Sequence, residues 1–164
     1  MKNLLSLDQS LNTTGFAYFE NGKIKDCGLF KINNKMPMPQ RLGAFYKELS
    51  KMSERYDFDT IAFEGIQNQN NNSTFQKLAY VQAVVMLWAY FNDMNVKEYL
   101  PSHWRKILSD KYHFRFGRKR AEQKRNAQKL VDDKMHIQVE EDIADAICIG
   151  WAAIADQEPE ESAF

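Results

Sequence analysis

A tight-turn signal between two strand-like runs constrains the fold of this chain more than any other feature. Asn21-Gly22 is the strongest short signal for a two-residue hairpin, and it separates the runs at residues 15–19 and 23–32. A third apolar run, at residues 3–7, precedes them and is followed by a turn-rich stretch. The chain is therefore predicted to open with a three-stranded antiparallel meander.

Beyond residue 40, strand-like runs alternate with helical patterns. Short apolar runs predict two more strands at residues 60–63 and 96–100, with a long apolar helix between them at 74–93. Further helices are predicted at residues 41–56, 102–108 (capped by Ser102), 118–135 and 140–155. A meander followed by strand–helix–strand crossovers predicts an α/β fold. We expect a five-stranded mixed sheet, antiparallel in the meander and parallel beyond it, with helices on both faces.

The length of 164 residues fits one domain, which we expect to cover residues 1–156, with an acidic, flexible tail at 157–164. The first residues are too few and too polar for a signal peptide, and no apolar run approaches the roughly 18 residues of a membrane span. Cys27 and Cys148 lack metal-ligand spacing, which is typical of free thiols in a reducing compartment. These features predict a cytoplasmic protein that does not contact membranes.

Four acidic residues lie in or beside apolar segments, where acids are uncommon. Asp8 ends the first run, and Glu64 ends the run at residues 60–63. Asp142 and Asp145 are three residues apart and share one face of the apolar last helix, which contains no Lys, Arg or His. A buried carboxylate without a partner is costly, so four that converge require bound cations.

An all-oxygen ligand set favours Mg²⁺ or Mn²⁺ over softer metals. Two such ions about 4 Å apart can activate a water molecule and stabilise the leaving oxygen of a phosphodiester. Each acid also has a structural explanation. Asp142 could complement a helix dipole, Asp8 could cap the following turn and Glu64 could pair with an arginine. Asp145 is the hardest to explain in this way, because its neighbours are apolar.

The formal net charge of zero hides a separation of charge along the chain. Residues 103–136 contain eleven Lys and Arg and only four acids, whereas residues 138–164 contain eight acids and no Lys or Arg. This pattern predicts a polyanion-binding surface beside a cation site. The candidates for DNA phosphate contacts on or just before one helix are Arg118, Lys119, Arg120, Lys124 and Arg125. The alternative is a charged helix that only faces solvent.

Three segments resemble the RuvC-type Holliday junction resolvases. Leu4-Leu5-Ser6-Leu7-Asp8, followed by Ser10 and Thr14-Gly15, is similar to the family's first strand and turn. Ile61-Ala62-Phe63-Glu64 resembles the second catalytic strand, and Asp142-Ile143-Ala144-Asp145-Ala146 resembles the closing helix, which is the most specific motif. The spacing between the motifs also fits, so the resemblance covers nearly the whole chain.

The resemblance implies a ribonuclease H-like fold and a homodimer that makes paired nicks across a four-way (Holliday) junction. It further implies a magnesium-dependent endodeoxyribonuclease that hydrolyses phosphodiesters with two metal ions, with Mn²⁺ as a substitute. By position, the catalytic and metal-binding residues are Asp8, Glu64, Asp142 and Asp145. The resemblance also places residues 101–105 and Lys124 near the DNA, and we expect Arg105 and Lys106 to contact it.

One position departs from the bacterial pattern, which has an aromatic residue three positions after the catalytic glutamate. This chain has Gln67 there, and Phe75 is the nearest aromatic side chain. We expect both to contact the junction. Together with the dense basic segment, this departure indicates a phage-type member that acts in a bacterial cell or in a phage-infected host, with other branched DNA among its substrates.

The predicted helix at residues 74–93 is apolar nearly all round, so we expect it to serve both the core and a two-fold dimer interface. The predicted interface residues are Leu78, Val81, Val85 and Trp88. Three other functions stay open from the sequence. They are a related nuclease acting on RNA–DNA hybrids or forks, a non-catalytic branched-DNA-binding protein, and an actin-like or sugar-kinase-like ATPase. The four acids oppose the second, and the short chain opposes the third.

Overall fold

The computed structural model describes residues 2–67 and 71–157, so most of the tail expected to be flexible lies outside the described residues. The described strands are β1 (Asn3–Asp8), β2 (Thr13–Glu20), β3 (Lys23–Lys31), β4 (Thr60–Glu64) and β5 (Asn95–Tyr99). The helices are α1 (Met38–Arg55), α2 (Asn72–Phe91), α3 (Pro101–Tyr112), α4 (Arg120–Met135) and α5 (Glu141–Ala155). In this part of the chain, no helix is both long enough and apolar enough to cross a membrane.

The strands form one mixed sheet in the order β3-β2-β1-β4-β5. β2 pairs antiparallel with both β1 and β3, whereas β4 pairs parallel with β1 and β5 pairs parallel with β4. Asn21 and Gly22 both have positive φ, 50° and 76°, as a two-residue hairpin turn of the predicted kind requires. The predicted meander and the predicted parallel strands are both confirmed.

Helices cover both faces of the sheet, as predicted, because side chains alternate along each strand. In β1, Leu5 and Leu7 belong to an apolar cluster with residues of α1 and α2, whereas Leu4 belongs to a second cluster with residues of α3, α4 and α5. Asp8 lies four residues after Leu4, and residues an even number apart in a strand point to the same face, so Asp8 lies on the face covered by α3–α5. Glu64 likewise follows Ala62, which belongs to the second cluster.

The position of α5 on this face is fixed by close contacts with β1 and β2. The Ser6 hydroxyl donates a hydrogen bond to the carbonyl oxygen of Ala146, with an oxygen–oxygen distance of 2.6 Å. A Cβ on Gly15 would lie 1.9 Å from the carbonyl oxygen of Asp142, so only glycine allows this approach. The first turn of α5 is thereby held against β2, beside the end of β1.

Two predictions about helices need correction. α3 begins at Pro101, with Leu100 as its N-cap, so Ser102 is the second helical residue and does not cap the helix. In α2, Val81, Val85 and Trp88 have no exposed surface because they pack between the sheet and α1. They cannot contact a second copy of the folded chain, and their assignment to a dimer interface was wrong.

Candidate active site

Asp8 and Glu64 meet at the carboxyl edge of the sheet. β1 and β4 are parallel neighbours in which Leu7 pairs with Phe63, and each acid is the next residue of its strand. Both side chains lie on the face covered by α3–α5. Ligands of open α/β sheets bind at this edge, beyond the ends of parallel strands.

Asp142 and Asp145 approach the same point from the first turns of α5. The four carboxylates line one cavity of about 520 Å³. Its other lining residues are Gln9, Ser10, Asn12, Thr13, Gln67, Leu78, Pro101, Arg105, Arg120, Gln123 and Lys124. The structure thus brings together all four acids singled out in the sequence, although they come from both ends of the chain.

Crowding and burial make the charged state of this cluster unfavourable. Burial, followed by the charge of Glu64, raises the pKa of Asp145 from 3.8 to about 7. Burial, followed by the charges of Asp145 and Glu64, also raises the pKa of Asp8 well above its usual value. The charges of neighbouring acids therefore add to burial in opposing the ionisation of Asp8 and Asp145. A bound cation would relieve this repulsion.

Glu64 is oriented by a tryptophan that the sequence analysis did not identify. The indole Nε1 of Trp104 donates a hydrogen bond to Oε2 of Glu64 at 2.7 Å, and Trp104 is completely buried. Burial raises the pKa of Glu64, and this hydrogen bond and the charge of Arg105 partly offset the rise. A buried indole N–H requires an acceptor, but the sequence does not reveal which acceptor the fold will supply.

Lys124 is the basic side chain that contacts the acids of α5. Its Nζ lies 3.1 Å from a carboxylate oxygen of Glu141 and 3.8 Å from one of Asp142. Burial lowers the pKa of Lys124, but the hydrogen bond to Glu141 and the charge of Asp145 outweigh that effect and raise it. The predicted DNA contact at this position is therefore also part of the carboxylate cavity.

The donor chemistry of the cavity fits a hard divalent cation. Its acids offer carboxylate oxygens, with no Cys or His lining the cavity. Within residues 2–67 and 71–157, no three His, Cys, Asp or Glu side chains are arranged to ligate a single ion.

A second, basic cavity of about 960 Å³ adjoins the first between α3 and α4. It is lined by the predicted DNA contacts Arg105, Lys106, Arg118 and Lys119, together with Arg115, which was counted in the basic segment but not chosen as a contact. Residues bordering both cavities are Gln67, Pro101, Arg105 and Gln123. A polyanion that lies in the basic cavity would therefore lead directly to the carboxylates.

Two predicted DNA contacts line neither cavity. Arg125 is exposed on α4, and Phe75 is half-buried in the first turn of α2; neither lines either cavity.

Lys106 and Arg105, which line the basic cavity, also make contacts with other residues of α3. Lys106 pairs with Asp110 at 2.7 Å on the surface of this helix. Arg105 stacks its guanidinium on the Trp104 ring, 4.5 Å from its centroid. Within the described chain, the buried Nε of Arg105 has no hydrogen-bond partner.

The fold is similar to those of solved Holliday junction resolvases. The structure of T. thermophilus RuvC in complex with Holliday junction substrate aligns with a TM-score of 0.73, covering 94% of each chain at 15% identity. Fowlpox virus resolvase, solved with Holliday junction DNA, aligns with a TM-score of 0.53 at 17% identity, covering 93% of this chain and 99% of that one. These likenesses confirm the ribonuclease H-like fold.

Sequence similarity extends over almost the same range. The crossover junction endodeoxyribonuclease RuvC of Alkaliphilus metalliredigens is 25% identical over 150 residues, 89% of this chain and 88% of that protein. The protein of the same name from Finegoldia magna is 24% identical over 155 residues, 92% of each chain. Residues 4–154 match the family described as crossover junction endodeoxyribonuclease RuvC. This chain therefore belongs to the RuvC family.

Proposed function

We propose that this protein is a structure-selective endonuclease that resolves four-way DNA junctions by metal-dependent hydrolysis of phosphodiesters. The observation that carries the proposal is the continuity between a cavity lined by four carboxylates and a basic cavity lined by five Lys and Arg side chains. Negative charge beside a phosphate-binding surface adds nothing to binding alone, so it opposes a purely DNA-binding role. Family membership favours junctions over hybrids or forks. A phage origin stays a prediction.

The cofactor is a divalent metal ion, and we propose Mg²⁺ with Mn²⁺ as a substitute, because the available donors are carboxylate oxygens. Asp8, Glu64, Asp142 and Asp145 would hold it. When bound, such ions activate water and stabilise the charge that develops on the leaving oxygen. The same binding would offset the burial and the neighbouring negative charges that raise the pKa of Asp8 and Asp145.

The protein's own side chains position the substrate around that site. Trp104 fixes one carboxylate oxygen of Glu64 by a hydrogen bond, which limits the rotamers available to this acid. Arg105 stands where the two cavities meet and stacks on Trp104, so its guanidinium can bind the phosphate backbone entering the acidic cavity. Arg115, Arg118 and Lys119 then hold the flanking strand by its phosphates.

Two copies of the chain are required to cut both strands of a two-fold symmetric junction, and we propose that α2 forms the dimer contact through its exposed face. Three side chains of this face keep a large part of their surface accessible: Leu87 at 56%, Tyr90 at 75% and Phe91 at 70%. Apolar and aromatic residues grouped in this way are typical of interfaces. This face replaces the buried Val81, Val85 and Trp88, whereas Leu78, the fourth residue first predicted, is half-buried and lines the carboxylate cavity.

The central test is cleavage of a labelled four-way junction by Asp8→Asn. We expect the variant to bind the junction as the wild type does but to lose cleavage, because one cation ligand is removed. Asp133→Asn, at an exposed acid of α4, is the matched control and should cleave normally. Forks, RNA–DNA hybrids and linear duplexes are compared in the same assay. Faster cutting of a hybrid or fork than of the junction would favour the related nuclease instead.

The dimer is tested by sedimentation of the wild type and of Tyr90→Glu. We expect the wild type to be dimeric at micromolar concentration and the variant to be monomeric, because a charge at a two-fold interface is buried twice. Tyr46→Glu is the matched control, since Tyr46 is a partly exposed aromatic residue of α1 outside this face. A monomeric wild type would exclude the proposed interface.

A further inference from the structure

Gln9 is a buried side chain of the carboxylate cavity to which the proposed reaction assigns no role. It follows Asp8 directly, is 6% exposed and lines the cavity that contains the four acids. Its Nε2 donates a hydrogen bond to the backbone carbonyl oxygen of Glu64 at 2.6 Å. The side chain therefore ties the end of β1 to the end of β4 at the point where their two acids meet.

The same hydrogen bond fixes the orientation of the Gln9 amide. A carbonyl oxygen only accepts hydrogen bonds, so the amide group that faces Glu64 must be the NH₂ and the carbonyl Oε1 must point elsewhere. That Oε1 atom is buried and has no hydrogen-bond partner among residues 2–67 and 71–157. A buried acceptor without a donor destabilises the fold, so such atoms usually have a partner that is a water or a bound group.

When a divalent cation is bound, the neighbouring acids are ionised and cannot supply this donor. Asp8, which precedes Gln9, and Glu64, whose backbone Gln9 contacts, only accept hydrogen bonds when charged. The cavity therefore contains an extra neutral acceptor beside carboxylates that already repel one another. Water molecules that hydrate a divalent cation are strong donors and would satisfy this acceptor without adding negative charge.

We propose that Gln9 is a positioning residue whose Oε1 accepts a hydrogen bond from a water molecule that hydrates the bound divalent cation. This inference rests on the metal dependence proposed above. Mg²⁺ keeps several of its waters when protein carboxylates bind it, so an acceptor for such a water belongs beside the ligands. Because the other end of the same amide holds the Glu64 backbone, Gln9 couples the position of that water to the position of Glu64.

The test is calorimetric titration of the metal-free protein with Mn²⁺, without DNA, which measures ion binding independently of cleavage. Gln9→Met keeps the length of the side chain but removes both the acceptor and the donor. We expect it to bind Mn²⁺ about fivefold more weakly, the effect of one hydrogen bond. Gln9→Glu also removes the NH₂ donor but keeps an acceptor oxygen, and we expect it to bind Mn²⁺ at least as tightly as the wild type.

The pair of variants separates the proposed role from a merely structural one. If Gln9 served only to tie Glu64 to β1, Gln9→Glu would bind Mn²⁺ no more tightly than Gln9→Met combined with Asn12→Asp, which adds a carboxylate to the same cavity, and this result would overturn the inference. Unchanged binding by Gln9→Met would overturn it too. Thermal unfolding in EDTA checks that both variants fold. A wild type that binds no Mn²⁺ would refute the metal dependence itself, whereas normal wild-type binding with an unaffected Gln9→Met would refute only the role of Gln9.

Discussion

Replacing Asp145 by Asn is expected to stabilise the metal-free protein at pH 8, although it removes a proposed catalytic residue. Asp145 is 6% exposed, and burial together with the charge of Glu64 raises its pKa from 3.8 to about 7. The folded state therefore binds this proton more tightly than the unfolded state does. Stability contributed by the protonated form is present below about pH 4 and is lost as the pH rises to about 7.

The size of the effect follows from the difference between the two pKa values. A difference of roughly three pKa units, at about 1.4 kcal/mol per unit, corresponds to about 4 kcal/mol at pH 8. Asn has the shape of the protonated acid and carries no charge, so the variant avoids this cost. For a domain of this size, each kcal/mol shifts the midpoint of thermal unfolding by about 2–4 °C, and we expect a rise of about 10 °C.

Thermal unfolding followed by circular dichroism in EDTA measures this shift between pH 5 and pH 8. The stabilisation of Asp145→Asn relative to the wild type should fall below about 2 kcal/mol at pH 5, where Asp145 of the folded wild type is already protonated. Millimolar Mg²⁺ should stabilise the wild type more than the variant, because binding is coupled to folding. Glu54→Gln, at an exposed acid of α1, is the control and should change little at either pH. A variant that unfolds at or below the wild-type temperature at pH 8 would refute the proposed cost of ionising the buried Asp145.

Two further predictions concern the surroundings of the carboxylates. Replacing Arg118, Lys119 and Arg120 together by Ala should weaken junction binding. The slope of the logarithm of the binding constant against the logarithm of salt concentration should also fall, by the equivalent of up to about three phosphate contacts, measured by fluorescence anisotropy between 50 and 200 mM salt. An unchanged slope would count against binding of the DNA along these side chains. Trp104→Phe should retain the packing of the aromatic ring but lose the hydrogen bond to Glu64. We therefore expect the cleavage rate to fall about tenfold or more, with junction binding unchanged. Equal cleavage rates in the variant and the wild type would show that Glu64 does not need this hydrogen bond for its orientation.

The sheet and the four acids could be predicted because their signals are local. The Asn21-Gly22 turn identifies the hairpin. An acid inside an apolar run is unfavourable in any fold that buries the run, so it indicates a functional residue before the fold is known. Asp145 shows this most clearly, because an ionised group in an apolar helix must have a partner or a proton. The parallel pairing of β1 with β4 then places Asp8 and Glu64 together without any further information.

Other parts of the site depend on contacts that the sequence does not encode locally. α2 is apolar all round, so periodicity could not show which face the core would take, and the choice of Val81, Val85 and Trp88 as interface residues was wrong for this reason. Trp104 orients Glu64 only because the fold brings α3 close enough to the end of β4 for the indole N–H to reach this carboxylate. The hydrogen bond of Gln9 likewise joins two strands that are 55 residues apart in the chain.

The uneven placement of positive charge explains how the site can fold without ions and still accept them. Lys124 contacts Asp142 and Glu141 on α5, and Arg105 is held against Trp104 at the rim of the cavity. Within the described residues, neither Asp8 nor Asp145 forms an ion pair, and burial, followed by the charges of neighbouring acids, raises the pKa of both. The basic side chains therefore neutralise the outer part of the cluster and leave the inner acids to a cation. A lysine placed between Asp8 and Asp145 would stabilise the fold further, but it would occupy the space that catalysis requires for the metal.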